Sequence, residues 1–487
     1  MELQALKSLD LRACNTVSEI IDAMCFCSFG ARMLGEMVKT WEEWVRKEEA
    51  PVVIFNGKSH TALDDLLIEM QRRKMIWDYG YGNADCSYLK DPEFCGYGKR
   101  NVIVIGHFSE DREEMFYSLP QERVIFINEI GQCRPGQVKD GYYPDVVFSD
   151  PRYVLPIISA CLEERIENKP ISVSDFFASL GRYEGLAREV AHGGYTLKKM
   201  VEDPDCTVFL TLSGAMTIAK MSLVICEMID TGMVQFISST GALMGHGLIE
   251  SLGLKHFKYN PDVSDEELAE QLLNRVTDTL EPESNFDMLD TVLGEIFDRF
   301  QMLVPTSPSA FLREVGSYLN EKFPNERGIL TSAFLKNVPV LVPAWTDSEV
   351  GNDMYVENFL RRKKGLPKIS MDLELDTELL VSKATSAKRL GIFSIGGGVP
   401  RNNTQNVAPL IEIINGRTDA NLPVKQFRFG CKICPDKHWF GHLSGCTYQE
   451  GMSWRKMDFD GQFAEVHTDA TIVFPLLVKF VMEQLGL

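Results

Sequence analysis

An amine acts as a nucleophile only after it has been desolvated or placed beside another cation, because a free lysine stays protonated near neutral pH. The run Glu450-Gly451-Met452-Ser453-Trp454-Arg455-Lys456 offers such a setting. It places a lysine two residues after a tryptophan, between a Cys/Gly-rich loop and an apolar strand-like run. An aromatic wall there would desolvate the amine and let it form an imine. Read alone, the same run is an ordinary loop with a solvent-facing lysine. The rest of the chain has to decide between the two.

Other residues offer other chemistry. Gly396-Gly397-Gly398-Val399-Pro400 follows an apolar strand, and three glycines let backbone amides approach a phosphate or a flat ring. It is not the G-x-G-x-x-G fingerprint, and a structural turn explains it equally well. Ser238-Ser239-Thr240-Gly241-Ala242 is a hydroxyl-rich loop that suits phosphate, ribose or a helix cap. His246 follows it and reads as a base or as a satisfied structural histidine. Asp347 and Asp469 flank strand-like runs, where a carboxylate holds ribose hydroxyls, a cationic substrate or a helix N-terminus. Cys431 and Cys434, with His438, His442 and Cys446, have zinc-like residue types. The three residues between Cys434 and His438 fall far short of a finger's loop, so buried thiols beside a polar loop are the better reading.

Such groups need elements to position them. Thr16, with Glu19 three residues later, is a capping-box start for a helical stretch over residues 16–49. Val52-Val53-Ile54-Phe55 then reads as a strand, Asn56-Gly57 as a turn, and residues 62–75 as a helix. A Gly/Tyr/Cys-rich loop leads to strands at Val102–Gly106 and Val124–Ile127. Strands at 207–212, 234–238, 338–343 and 390–395 each end in small or polar residues. Apolar strands alternating with helices predict an α/β fold with parallel sheets, whose ligand rim lies beyond the carboxyl ends of the strands.

The order of elements repeats. Ser172-Val173-Ser174-Asp175 restates Thr16-Val17-Ser18-Glu19 at an offset of 172 minus 16, or 156. At that offset Ala31-Arg32 falls on Ala187-Arg188, Thr40 on Thr196, Val45 on Val201 and Val52 on Val208. Asp150-Pro151-Arg152-Tyr153-Val154-Leu155-Pro156 likewise resembles Asp469-Ala470-Thr471-Ile472-Val473-Phe474-Pro475. Residues 1–165 therefore read as a smaller α/β domain, a shortened and degenerate copy of residues 166–487 that keeps its beginning and end. The boundary is expected near Glu167-Asn168-Lys169-Pro170.

Bulk properties narrow the function classes. A chain of 487 residues with 45% hydrophobic and 24% charged residues is globular and longer than one ordinary domain. A net charge of −19 argues against nucleic acid or an anionic membrane as partner, and is compatible with a cationic substrate. The apolar runs are too short to span a membrane, the N-terminus lacks a secretory pattern, and twelve scattered cysteines fit reduced thiols, so a cytoplasmic location is expected.

Taken in order, these motifs resemble the deoxyhypusine synthase family over residues 172–487. They are Cys206-Thr207-Val208-Phe209-Leu210, the Ser238–Ala242 loop, Pro339 through Asp347, Gly396-Gly397-Gly398-Val399, Glu450 with Ser453-Trp454-Arg455-Lys456, and Thr468-Asp469-Ala470 through Val478. The resemblance implies a Rossmann-like parallel-sheet domain, NAD as cofactor, and transfer of the aminobutyl group of spermidine through a lysine imine. The acceptor would be a lysine of a translation factor or, as in relatives that make homospermidine, a small diamine. It implies Lys456 as the imine-forming lysine, Trp454 as the wall along the polyamine and Glu450 as an ammonium holder. Ser238, Ser239, Gly241, Asp347, Gly396, Gly397, Gly398, Ser444, Gly445, Asp469 and Ala470 would line the NAD site. It implies no metal, and a homo-oligomer, dimer or tetramer, with active sites between subunits.

Two positions depart from the family pattern. Asn402, with Asn403 beside it, stands where deoxyhypusine synthases carry a histidine, and an amide cannot take up a proton at neutral pH. Leu443 stands where the family has an aspartate, which removes an amine contact. The Cys434–Thr447 loop resembles the bacterial-type, deoxyhypusine-synthase-like branch. These changes favour a small diamine or an altered polyamine over the translation factor. They leave open a polyamine oxidation without transfer, or an impaired regulatory partner of an active paralogue. Residues 1–165 lack both the triple glycine and the Ser-Trp-x-Lys run, so that half is expected to be non-catalytic and to dock as a pseudo-subunit.

Overall fold

The apolar runs assemble into two parallel sheets. The structure, a computed structural model, describes residues 3–56, 61–81, 100–106, 108, 123–128, 146–299 and 305–487. Residues 82–99 of the expected loop rich in Gly, Tyr and Cys, and Gly57 of the expected turn, lie outside the described residues, whereas Asp78–Tyr81 form a strand. No helix among the described residues is long and apolar enough to cross a membrane.

The described residues group into two compact units. One contains Arg12–Ala191 and Thr471–Phe480, the other Met1–Leu11, His192–Ala470 and Val481–Leu487. This division differs from a single cut near Glu167–Pro170. Helices Leu186–Glu202 and Ala470–Leu485 each contribute to both units.

In the first of these units, strands β1 (Val52–Phe55), β2 (Asp78–Tyr81), β3 (Val102–Ile105), β4 (Val124–Asn128) and β5 (Val146–Phe148) form a parallel sheet in the order β2-β1-β3-β4-β5. β1, β3 and β4 are buried at every position, which is why they read as unbroken Val/Ile/Phe runs.

The other unit holds β6 (Cys206–Leu212), β7 (Phe236–Ser239), a small antiparallel sheet of β8 (Phe257–Lys258), β9 (Leu273–Val276) and β10 (Thr279–Pro282), and then β11 (Val340–Leu341), β12 (Arg389–Ile395), β13 (Phe427–Ile433) and β14 (Met457–Val466). The large sheet is parallel, in the order β11-β7-β6-β12-β13-β14. Numbered along the chain within the sheet, that is 3-2-1-4-5-6, the order of dinucleotide-binding Rossmann sheets. Its core includes Phe209, which meets Phe236 at 4.9 Å and Phe427 at 5.8 Å between ring centroids. Burying each such ring contributes about 1.5–3 kcal/mol.

The two sheets correspond element by element. β1, β2, β3, β4 and β5 hold the places of β6, β7, β12, β13 and β14, and β11 has no counterpart among the described residues. Thr16 accepts from the Glu19 amide at 3.2 Å and Ser172 from the Asp175 amide at 3.0 Å, capping helices Val17–Met24 and Val173–Leu180. The entries to the next helices, Phe29 and Gly185, have φ of 58° and 59°. The closing helices Pro151–Glu167 and Ala470–Leu485 carry Pro156 and Pro475 inside them.

Two expectations on local structure are corrected. Residues 16–49 form two helices, Val17–Met24 and Phe29–Arg46, because Phe29 takes a left-handed φ that no helix interior accommodates. The apolar run after Asp469 is helical rather than strand-like. A short, uniformly buried apolar run has no periodicity to separate the two, and only its length decides.

Candidate active site

Parallel strands bring their carboxyl ends to one edge, and most of the predicted binding residues lie there. The edge is laced one rung past the strands. Ser213 N donates to the Ile395 carbonyl at 3.0 Å, Gly396 N to Ile433 at 2.8 Å, Cys434 N to Val466 at 3.0 Å and Thr240 N to Leu212 at 3.2 Å. The sheet changes winding direction between β6 and β12, where a Rossmann sheet opens its crevice. On one side is Ser213, on the other Gly396–Gly398, and the Ser213 hydroxyl donates to the Gly397 carbonyl.

The glycines are needed there for different reasons. Gly396 and Gly398 have φ of 74° and 69°. A Cβ on Gly397 would come within 2.5 Å of the Ser444 backbone, so this loop and the Ser444–Gly445 turn touch through bare backbone. A Cβ on Gly445 would sit 2.4 Å from the Asp436 carbonyl. At Gly241, the first residue of helix Gly241–Ser251, it would sit 2.4 Å from the Ser348 Cβ. Ser238 and Ser239 are buried at the end of β7. Asp347 is exposed in the loop after β11, and Asp469 and Ala470 follow β14. The Ser238 and Thr468 hydroxyls are buried without a hydrogen-bond partner. Orphaned hydroxyls, open space at the Gly398 Cβ position and a helix of eight residues starting at Gly398 suit a ribose-phosphate ligand.

Lys456 belongs to a second group. It immediately precedes β14, and its carbonyl accepts from Phe427 N, the first residue of β13. The amine is half-buried, donates to Asn402 Oδ1 at 2.9 Å, and lies 5.6 Å from the Trp454 ring centroid. Trp454 is 64% exposed, so its face is open to a ligand. Burial lowers the Lys456 pKa, and the nearby Arg401 guanidinium lowers it further, against Cys446 and Glu450. Glu450 is exposed, and its Oε2 accepts from the Cys446 thiol at 3.3 Å. Asn402 sits one residue after Arg401 on helix Gly398–Gln405, which begins at the glycine loop. The triple glycine and the lysine's acceptor thus share one short element.

Arg401 and Ser213 carry no sequence signal that marks them, and Cys446 is marked only as a zinc-type residue. Arg401 is buried and donates to the carbonyls of Leu443 at 3.3 Å and Cys446 at 3.2 Å. Leu443 is 56% exposed with φ of 63°, an unusual conformation for a leucine in a loop that meets the site.

The cysteine and histidine candidates separate. Cys431 is buried in β13 and its thiol points to the Gly193 carbonyl, whereas Cys434 points to Asp436 and the Ser444 carbonyl. Among the described residues, the group within metal-ligating distance is instead His246, His256 and Glu281. Glu281 Oε2 receives His246 Nδ1 at 2.9 Å and His256 Nε2 at 2.6 Å. Lys220 Nζ lies 2.6 Å from His256 Nδ1. An ammonium donating there makes His256 Nε2 carry the ring proton toward Glu281, which occupies the lone pair a metal would need. The cluster is therefore a proton-filled ion-pair network, and it holds His246 in a structural setting.

A model of the deoxyhypusine synthase family matches residues 175–481. A probable deoxyhypusine synthase 2 of Methanosarcina acetivorans is 29% identical over 319 residues, covering 66% of this chain and 89% of that one. A probable deoxyhypusine synthase 1 of Archaeoglobus fulgidus is 30% identical over 316 residues, covering 65% and 96%. A deoxyhypusine synthase-like protein of Chlorobaculum tepidum is 30% identical over 295 residues, covering 60% and 81%. Among solved structures, a putative deoxyhypusine synthase from Entamoeba histolytica aligns with a TM-score of 0.44 at 18% identity, covering 64% and 94%.

Proposed function

The chain belongs to the deoxyhypusine synthase family, and from that premise we propose that it moves the aminobutyl group of spermidine, or of a related polyamine, onto an acceptor amine through an imine on Lys456. The observation that carries the proposal is the state of that amine. It is half-buried, beside a buried arginine, 2.9 Å from a neutral acceptor and facing an indole. Of these, burial and the arginine favour the uncharged form, which is the nucleophile.

The residues divide the work. The rim formed by Ser238, Ser239, Gly241, Asp347, Gly396–Gly398, Ser444, Gly445, Asp469 and Ala470 would hold NAD. NAD held there would supply the hydride acceptor for the carbon next to the polyamine's secondary nitrogen and the hydride donor that completes the transfer. Lys456 Nζ attacks the carbon of the oxidised C=N bond, and the diamine leaves with that bond's nitrogen. The acceptor amine then displaces Lys456 by attacking the same carbon. Trp454 lies along the methylenes, and Glu450 faces an ammonium. Asn402 accepts from the lysine and so orients its lone pair, but it takes no proton. Proton removal from the acceptor falls to another group, which a small free amine meets more easily than a protein lysine. The acceptor is accordingly read as a small diamine rather than the translation factor.

Residues 1–165 are read as a non-catalytic partial copy, supported by the matching strand order and helix caps. Polyamine oxidation without transfer is the second reading, and Asn402 in place of a base is what favours it. Incubation with NAD and spermidine, with NADH formation followed and borohydride added, separates the two. An adduct on Lys456 supports transfer, whereas NADH without an adduct supports oxidation alone.

A further inference from the structure

The turn that carries Ser444, Gly445 and Cys446 is gripped by an ammonium that the proposed reaction does not use. Lys432 lies within β13, between the apolar and fully buried Cys431 and Ile433, and is itself 1% exposed. Its Nζ donates to the Gly445 carbonyl at 3.1 Å and the Cys446 carbonyl at 2.7 Å. The Glu465 carboxylate, on the residue paired with it in β14, lies 3.2 Å away. These three acceptors use all three protons of the ammonium. Glu465 is in turn fixed by accepting from Tyr448 N at 2.7 Å.

A buried charge is costly where an aliphatic side chain would fill the same space, so a strand-interior lysine asks for a reason. The reason on this sheet is the turn. Its bare backbone is what Gly397 packs against, and the Cys446 carbonyl is shared between Lys432 and Arg401. Arg401 neighbours Asn402, the partner of Lys456. We propose that Lys432 is a positioning residue, which through the Gly445 and Cys446 carbonyls holds the cofactor-side turn against the glycine loop and keeps it in register with the Lys456 pocket. The cofactor part of this statement rests on the proposed function.

The test uses full-length wild type, Lys432→Met, and the double variant Lys432→Met/Glu465→Gln, which leaves no lone buried carboxylate. Amide hydrogen exchange is followed by mass spectrometry, and NADH binding by fluorescence. We expect exchange across residues 434–447 to rise about tenfold or more in both variants, with β6 and β12 unchanged. The KM for NAD is expected to rise about tenfold while kcat stays within about threefold, a split that general destabilisation does not produce. Unchanged exchange over 434–447 overturns the proposal. So does exchange that rises everywhere in both variants, which would make Lys432 a core residue and not a clamp. A wild type that binds no NADH contradicts the cofactor reading instead, and the exchange result still decides the clamp.

Discussion

At the scale of single residues, the account turns on what lowers the Lys456 pKa. Burial comes first and Arg401 second, so the rising limb of the rate profile is expected below the ordinary lysine value. Asn402→Asp would put a carboxylate where the neutral oxygen now stands, 2.9 Å from Nζ. A carboxylate stabilises the ammonium, so that limb moves up and the rate near neutral pH falls by about tenfold or more. Arg401→Met shifts the limb the same way by less. A pH profile of kcat/KM reads both, and a shift downward in either would contradict the assignment. Lys456→Arg keeps a cation but no nucleophile, and turnover should drop by about a thousandfold or more with folding intact. The lysine was legible because Trp454 and Glu450 accompany it in family order. Arg401 was not, because its role depends on a loop folding back forty-odd residues later in sequence.

At the scale of elements, the site depends on close backbone approach and on a buried ion-pair network. Gly397→Ala sets a methyl within 2.5 Å of the Ser444 backbone, which cannot move aside as a flexible side chain does. Loss of about 1–3 kcal/mol in stability is expected from chemical denaturation, with weaker NADH binding. In the His246–Glu281–His256 network, burial alone would raise the Glu281 pKa, but its bonds to the two histidines outweigh that and bring it down to about 2. For His246, burial lowers the pKa, and the Glu281 bond and the Glu349 charge outweigh it, so the net shift is upward. The Glu281 contribution is present above its unfolded value near 4.5 and is lost as pH falls toward about 2. The His246 contribution is present below about 6.5 and is lost as pH rises through its raised folded value. Glu281→Gln should therefore destabilise most between those limits, by about 3–5 kcal/mol, with the gap to wild type closing in acid. Thermal melts across pH 3–8 would show it; a constant gap would argue that the network is not ionised. The strands of both sheets were readable from their Val/Ile/Phe runs. The small β8–β10 sheet that delivers Glu281 was not, since β8 is two residues long and β9 alternates without an apolar face.

At the scale of the whole chain, the unit formed by Arg12–Ala191 and Thr471–Phe480 draws on residues from both sides of the expected boundary near Glu167–Pro170. Asp150 caps helix Pro151–Glu167 by accepting from Arg152 N at Oδ1, and its Oδ2 accepts from Leu186 N at 3.3 Å. Thr471 Oγ1, on helix Ala470–Leu485, accepts from Ala31 N at 3.0 Å. Phe177 and Phe480 stack at 4.3 Å in the same unit. The 156-residue offset could be read in the sequence, but these contacts could not, because residues so far apart along the chain meet only after folding. Gly185 takes the left-handed φ that its counterpart Phe29 also adopts. A Cβ at Gly185 would fall 2.4 Å from the Arg152 guanidinium and 2.6 Å from Asp150 Oδ2, so Gly185→Ala and Gly185→Asn should each destabilise by about 1–3 kcal/mol. No loss of stability in denaturant titrations would mean that the Asp150–Arg152 pair does not constrain this turn.

The most direct measurement is the borohydride trap. Full-length protein is incubated with NAD and spermidine, reduced, digested, and the peptide spanning Glu450–Lys456 weighed. The account predicts an aminobutyl adduct on Lys456 that needs both NAD and spermidine and is absent from Lys456→Arg. An adduct on another lysine, or NADH formed with Lys456 unmodified, would contradict it.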